Sequence, residues 1–347
     1  MVTIDPNCRP YNPMGLNVNS PQTIDYITDM GHSDLTLKQK VVAASMSGEP
    51  FENWAGPVSI AFGAEHRKES VDGEASALDE ANAFFAGNYH ATIGEYDVTE
   101  GFVETVVPLL KDLPAVEQLD FNGAVRYTDY STSGEVTTWK AGATWTPIQD
   151  MRFRFTQSRD IRAPGLGELY NRGASGTGNN IDRGLPGNPT YFMLSRTNGN
   201  PDLKPEEADT TGIGVVLSPR FLPGFTMSVD YYKIDVEDAI ATLGSRQIID
   251  GCYLRAQADL CSLITRDSAT GLISVITSQP LNIIGQTASG IDVDASYDLP
   301  LPVGTLRLRA LASFVDKLET VTSENILVDG KGVNSDDAPV LDRKSVV

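Results

Sequence analysis

The sequence predicts an all-β protein: an antiparallel up-and-down sheet of the transmembrane β-barrel kind. We expect a partial barrel of about ten strands, with short turns at one end and long loops at the other. Three observations predict it. Many segments alternate apolar and polar residues with period two. The connections between them alternate strictly between short and long. The polar face of several strands carries charges at successive positions, which suits a wet lumen better than the inner face of a soluble sandwich.

Strands are expected near 35–47, 57–69, 99–109, 117–129, 136–146, 151–159, 207–218, 224–235, 282–299 and 304–317, and the chain after Lys317 starts another. In the fourth, Leu119, Phe121, Gly123, Val125 and Tyr127 share one face, and Asp120, Asn122, Ala124, Arg126 and Thr128 the other. In the fifth, Trp139, Ala141, Ala143 and Trp145 oppose Lys140, Gly142 and Thr144. In the sixth, Met151, Phe153 and Phe155 oppose Arg152, Arg154 and Thr156. The last two repeat the pattern: Ile291, Val293, Ala295 and Tyr297 oppose Asp292, Asp294, Ser296 and Asp298, and Leu306, Leu308, Ala310, Ala312 and Phe314 oppose Arg307, Arg309, Leu311 and Ser313. A helix would scatter these charges over different faces. Trp139 and Trp145 near opposite ends of one apolar face, and Phe121 and Tyr127 on its neighbour, suit the aromatic girdles of two membrane interfaces.

The short links are "GEPFENWAG", "KDLPAVE", "PIQD", "PRFLPG" and "PLPV"; the others are Ser70–Val98, the small Tyr130–Glu135, Asp160–Glu206 and Val236–Leu281. Structureless loops beyond about 15 residues are uncommon in a compact domain, so repeated long ones at a single end point to function there. "NPDLKPEEADT" (200–210) is a proline-stiffened, acidic entry to a strand.

The bulk numbers exclude some classes. With 27 Lys and Arg against 46 Asp and Glu, the 347-residue chain carries a net charge of −19, the wrong sign for a sequence-independent nucleic-acid binder. Its opening, "VTIDPNCRPYNP", lacks the basic start and apolar run of a signal peptide. No stretch approaches the roughly 18 apolar residues of a membrane helix, but a spanning strand needs only about ten residues, every second one apolar.

Cys252 and Cys261, nine residues apart, suit a small disulfide-closed loop in an oxidising compartment, or stand as two unrelated thiols; Cys8 is alone. His32, His66 and His90 are scattered without HxH or HExxH spacing, so no metal site is expected. The "GIG" at 212–214 has the wrong frame for a dinucleotide loop, and no cofactor is expected. The acidic runs "DVEDA" and "DVDASYD" lack EF-hand spacing and read as solvated lumen or loop faces. Without a GxSxG or a spaced Ser/His/Asp set, no enzyme is expected.

"FRFTQSRDIRAPGLGELY", "NPDLKPEEADTTGIGVVLSP" and "FTMSVDYYKIDVEDAI", in that order, resemble the barrel of TonB-dependent outer-membrane receptors. So do "CRPYNPMG", "VVAASMSGEPFENWAGPVSIAFGAEHRKE" and "CYLRAQADLCSLITRDSATGLISVI" with the following "GIDVDASYDLP". The resemblance covers Cys8 to about Ala338. It implies a 22-stranded barrel in outer-membrane lipid of a Gram-negative bacterium, a plug domain inside it, and uptake of a scarce extracellular ligand driven by the TonB complex through that plug. Siderophore, cobalamin, oligosaccharide and nickel complexes are all handled by this architecture.

Residues 1–341 therefore read as a partial receptor barrel without plug, TonB-contacting segment or final strands, and "DRKSVV" (342–347) as a non-native tail, so that the chain is expected to be an internal piece of a receptor that transports nothing alone. Ligand contacts would come from the loops and upper lumen. Arg159 and Arg162, where the sixth strand turns into the longest loop, and Arg183 within that loop are candidates for an anionic ligand, or pair with lumen acids. Asn179, Asn180, Asn188, Asn198 and Asn200 give the same loop an amide supply suited to sugars, or serve as turn residues. The alternative is a secreted, soluble β-rich carbohydrate-binding or adhesion domain, which leaves the one-ended loops unexplained.

Overall fold

The structure, a computed structural model, describes residues 8–85, 87–173, 175–321 and 327–332. The tail expected at 342–347 lies outside them. After α1 (Pro21–Ile27), the wall of the molecule is built from β1 (Ser33–Asn53), β2 (Gly56–Ala75), β3 (Ile93–Leu113), β4 (Val116–Tyr130), β5 (Gly134–Ile148) and β6 (Met151–Arg162), with α2 (Ala77–Glu80) between β2 and β3. Then come α3 (Leu166–Tyr170), β7 (Ser175–Ile181), β8 (Thr190–Thr197), β9 (Glu206–Leu217) and β10 (Phe225–Thr242). The chain continues through α4 (Ser245–Arg255), α5 (Ala258–Cys261), β11 (Ile264–Arg266), β12 (Ile273–Ser278), β13 (Pro280–Leu301), β14 (Gly304–Val321) and β15 (Leu327–Asp329).

Eleven strands form one open sheet in the order β1-β2-β3-β4-β5-β6-β9-β10-β13-β14-β15, every neighbour antiparallel. This is the expected meander, and all ten expected strands are in it. Four of the short links shrink to two residues: Trp54–Ala55, Pro114–Ala115, Gln149–Asp150 and Pro302–Val303. Their chemistry is local. Asn53 Oδ1 accepts from the N–H groups of Ala55 and Gly56, closing the first turn, and Gly56 takes the positive φ of 143° that follows it.

The register assigns the two faces. Val103, Val125 and Trp139 lie in one cross-strand row; Ala143, Phe155, Ile213, Tyr231, Ile291 and Phe314 make another. Val125 and Ile213 are each 53% exposed. Such an apolar face is at home against lipid. From Leu119 to Tyr127 the apolar row spans eight residue steps, about 27 Å along a strand and about 20 Å once tilted as barrel strands are. Trp145 stacks on Phe153 at the short-turn end, with ring centroids 5.2 Å apart, and its indole N–H donates to Ala115 O at 3.0 Å.

The opposite face is polar and paired: Arg154 forks onto Asp230, Arg309 onto Asp294, Arg307 onto Asp298, and Arg126 reaches Glu100 at 2.9 Å while covering the Phe102 ring. This is the lumen wall that the successive charges predicted.

Most strands run further toward the loop end than apolar alternation indicated. On the outward face, the apolar row gives way to ion pairs: Lys68–Glu95 at 2.9 Å, Arg159–Asp209 at 2.7 Å, Lys233–Asp235 at 2.6 Å and Lys317–Glu319 at 3.5 Å. Hydrogen bonding continues beyond the lipid boundary, where the apolar signal stops. β6 therefore ends at Arg162 rather than near Arg159, and β10 reaches Thr242.

The segments expected as long loops carry structure of their own. β11, β12, β8 and β7 form a second sheet in that order, with β12 and β8 parallel. Its core, Met193, Ile248, Ile249, Leu260, Ile273 and Ile276, is buried between this sheet and α4 and α5. The connection between β6 and β9 and that between β10 and β13 thus fold into one module. Cys252 in α4 and Cys261 in α5 are disulfide-bonded, with Cα atoms 4.7 Å apart. Among the described residues no helix is long and apolar enough to cross a membrane, which has no bearing on strands.

Candidate ligand-binding site

The loop end of the wall is held by three polar locks. The first joins the module to the strands beneath it. Asn200 Nδ2 donates to Pro280 O at 3.0 Å, and Asn282 Nδ2 donates to Lys204 O and Asp238 O while its Oδ1 accepts from Lys204 N. The second lies inside the module. Asp182, fully buried, accepts from Arg266 Nη2 at 2.6 Å and Nη1 at 2.9 Å, from Tyr191 Oη at 2.6 Å and from the Gly184 N–H. Burial pushes the Asp182 carboxyl up, but the Arg266 fork with Tyr191 and Gly184 outweighs it, so the group sits below the ordinary carboxylate value.

The third lock shapes the β2–β3 connection. Asp79 accepts from the Ser76 hydroxyl at 2.6 Å and from the N–H groups of His32 and Tyr89. These bonds, Ser76 foremost, draw its carboxyl down against burial. Glu80 accepts from the Ala91 N–H at 2.6 Å and lies 3.2 Å from His90 Nδ1; Ala91 and then His90 draw it down too. Asn88 and Ser175 exchange backbone hydrogen bonds, which ties this connection to β7.

α3 leans over the lumen face. Leu169 packs with Tyr96, Val98 and Tyr130, and the Tyr170 hydroxyl donates to Glu95 O at 2.8 Å. The Tyr170 ring lies where a Cβ on residue 94 would be, so only Gly94 admits it.

Between α2, α3 and β8 lies a pocket of about 540 Å³. Arg172 and Arg196 enter it, with the amides of Asn82, Asn171 and Asn198 and the ring of His90. Arg196 sits on β8, flanked by Ser175 of β7 and Thr277 of β12, so a strand and not a flexible loop positions it. Its Nε is buried and donates to nothing among the described residues, and no acid pairs with Arg196 there.

Arg159, Arg162 and Arg183 do not converge on one point. Arg159 is opposite Trp139 in the register and so lies on the outward face, held by Asp209 at 2.7 Å and Glu207 at 3.3 Å. The parity of β6 decides this: residues 153, 155, 157 and 159 share a side. Arg162 has the opposite parity. It reaches Glu206 at 2.7 Å and Glu168 at 2.9 Å, at the foot of α3. Arg183 belongs to the module and pairs with Asp250 at 3.0 Å. Of the five loop asparagines, Asn198 lines the pocket and Asn200 is a lock.

The pocket arginines, Arg172 and Arg196, escaped sequence reading. Their neighbours in space, Asn82 and His90, come from the β2–β3 connection, about 80 to 115 residues earlier. Among the described residues no three His, Cys, Asp or Glu gather as metal ligands would.

Residues 9–339 match the family model described as TonB dependent receptor-like, beta-barrel. The chain belongs to this family. Among curated relatives of this receptor barrel, the heme/hemopexin utilization protein C of Haemophilus influenzae is 25% identical over 308 residues, covering 83% of this chain and 37% of that protein. The vitamin B12 transporter BtuB of Vibrio vulnificus is 25% identical over 224 residues, covering 65% and 30%.

Among solved structures, the siderophore receptor PirA of Acinetobacter baumannii superposes with a TM-score of 0.54 at 16% identity over 82% of this chain and 37% of that one. A single-site mutant of the ferric enterobactin receptor PfeA of Pseudomonas aeruginosa, bound to enterobactin, gives 0.58 at 14% identity over 81% and 36%. These superpositions bear on the fold. The TonB-dependent barrel described here spans under two-fifths of the length of any of these four relatives.

Proposed function

We propose that the chain is the ligand-gathering side of an outer-membrane receptor barrel that takes up a scarce extracellular ligand, of the siderophore, cobalamin or oligosaccharide class, with energy from TonB. The observation that carries this reading is the asymmetry of the wall. An apolar face backs an ion-paired polar face, and every elaborated connection stands at one end, in a chain whose family is one of transport receptors.

In this reading the outward rows face the lipid of a Gram-negative outer membrane, and the polar rows face a plug domain through which TonB acts. The loop-end pocket and the lumen-side Arg162, with Arg183 of the module, meet the ligand; Arg159, on the outward side, serves the wall. The secreted soluble reading would leave Val103, Val125, Trp139, Phe155, Ile213 and Phe314 in water on one face, an arrangement that soluble monomers rarely show.

The test is uptake. The polypeptide carrying this barrel, expressed in a receptor-deficient Gram-negative host, should accumulate its ligand only when TonB and the proton gradient are intact. Accumulation that persists without TonB contradicts the reading.

A further inference from the structure

We propose that the pocket between α2, α3 and β8 is an anion site in which Arg196 is the principal contact, and that it takes a hydroxylated carboxylate such as an acidic sugar. The inference rests on the reading of this chain as a receptor that captures ligand at its loop end.

Three observations carry it. First, Arg196 stands out in a strongly acidic chain. Arg67, Arg126, Arg154, Arg159, Arg162, Arg183, Arg220, Arg246, Arg266, Arg307 and Arg309 each pair with a carboxylate, whereas Arg9, Arg152, Arg172 and Arg196 pair with none among the described residues, and of these four Arg196 alone has a buried Nε. Its Nε is buried without an acceptor, and a buried guanidinium N–H left unpaired is costly.

Second, the acid in the same wall is already engaged. Glu80 is held by the Ala91 N–H and His90, with Arg172 contributing from further away. The two Nη groups of Arg196, which have no partner among the described residues, are thus left for a ligand carboxylate, whose two oxygens match planar donors.

Third, the remaining polar lining suits hydroxyl groups. Asn171 Oδ1 accepts from the Gly173 N–H, leaving its NH₂ to donate, and the Asn198 side chain makes no hydrogen bond among the described residues. Around these groups the apolar lining is Ile93, Leu169, Pro201 and the ring of Tyr170. A large apolar macrocycle would desolvate arginines and amides without satisfying them, whereas a hydroxylated acid satisfies both.

The probes are D-galacturonate and D-galactose, which differ in a carboxylate against a hydroxymethyl group. Titration calorimetry of the detergent-purified protein should show saturable galacturonate binding and galactose weaker by at least about 10-fold. Arg196→Gln should weaken galacturonate binding about 10- to 100-fold, and Arg196→Lys, which keeps the charge and loses the fork, by less. Arg220→Gln, at the short-turn end, should leave it unchanged. If Arg196→Gln does not fold, the unaltered protein answers instead: galacturonate should shield Arg196, and not Arg220, from phenylglyoxal as read by peptide mass spectrometry. Equal binding of the two sugars, no saturable galacturonate binding, or an Arg196 neither sensitive to substitution nor shielded overturns the assignment. TonB-driven uptake of some other ligand, with galacturonate ignored, would sink the pocket assignment alone. Galacturonate bound tightly but never accumulated would sink the transport reading alone.

Discussion

Asp182→Ala should loosen the loop module without disturbing the wall beneath it. Asp182 is fully buried and is the shared acceptor for Arg266 of β11, Tyr191 of β8 and the Gly184 N–H, so it joins elements some 80 residues apart in sequence. Removing one member of a buried ion pair typically costs about 3–5 kcal/mol, because the other charge is stranded. Arg266 is 27% exposed in its side chain and regains some water, which places the expected cost near the lower end, about 3 kcal/mol. At about 1.4 kcal/mol per factor of ten, that is roughly a 150-fold larger opening equilibrium. Hydrogen exchange read by mass spectrometry should show this acceleration in peptides from β7, β8, β11 and β12. Peptides from β4 and β5 serve as the internal standard. Adding Arg266→Met should recover part of the loss, since no stranded charge then remains. Exchange in β7 and β11 within about threefold of the unaltered protein would refute the assignment of Asp182 as the keystone of the module.

The remaining predictions concern the staple, the faces and pH. Cys252→Ser should destabilise the α4–α5 corner by about 2–3 kcal/mol from the entropy of a loop this short, seen as faster exchange in residues 245–262 and mimicked by reductant; no change on reduction would contradict it. Val125→Arg, on the outward face, should cost about 2–4 kcal/mol of folding free energy in lipid, whereas Ala124→Arg, on the lumen face, should cost far less; equal costs in urea titrations into vesicles would deny the two-faced wall. Asp182 has a folded-state value held below its ordinary one, so its contribution is fully present above the unfolded value near 3.8 and is lost as pH falls through the depressed folded value. The opening equilibrium of the module, taken as exchange divided by the intrinsic rate at each pH, should therefore be flat above about pH 5 and rise only in more acidic solution, and a rise between pH 6 and 8 would point to another group.

The wall was legible in the sequence because one physical rule wrote it. Lipid on one side and water on the other force period-two alternation, and Leu119 to Tyr127 or Leu306 to Phe314 display it without help from tertiary contacts. Legibility stopped where lipid stops. Beyond that level the outward residues are Lys68, Asp97, Arg159, Asp209 and Asp235, paired across strands, and such positions look like loop. The same change hid the placement of Arg159, whose side is fixed by counting from Phe155 and not by its charge. The module was illegible for a different reason. β8 pairs in parallel with β12, some 80 residues later, and the buried apolar residues of α4 and α5 face a sheet that no local pattern announces. Arg196 was hidden with it, since its isolation from acids is a property of the assembled pocket.

The central claim, a wall with lipid on one side and an aqueous lumen on the other, is tested most directly by spin-label scanning of residues 119–128 in reconstituted vesicles. Collision with oxygen and with a water-soluble nickel chelate should alternate at every residue. Labels at Leu119, Phe121, Val125 and Tyr127 should favour oxygen, and labels at Asp120, Asn122, Ala124 and Arg126 should favour the chelate. Equal access of the chelate to both sets, or a period near 3.6, would contradict the account.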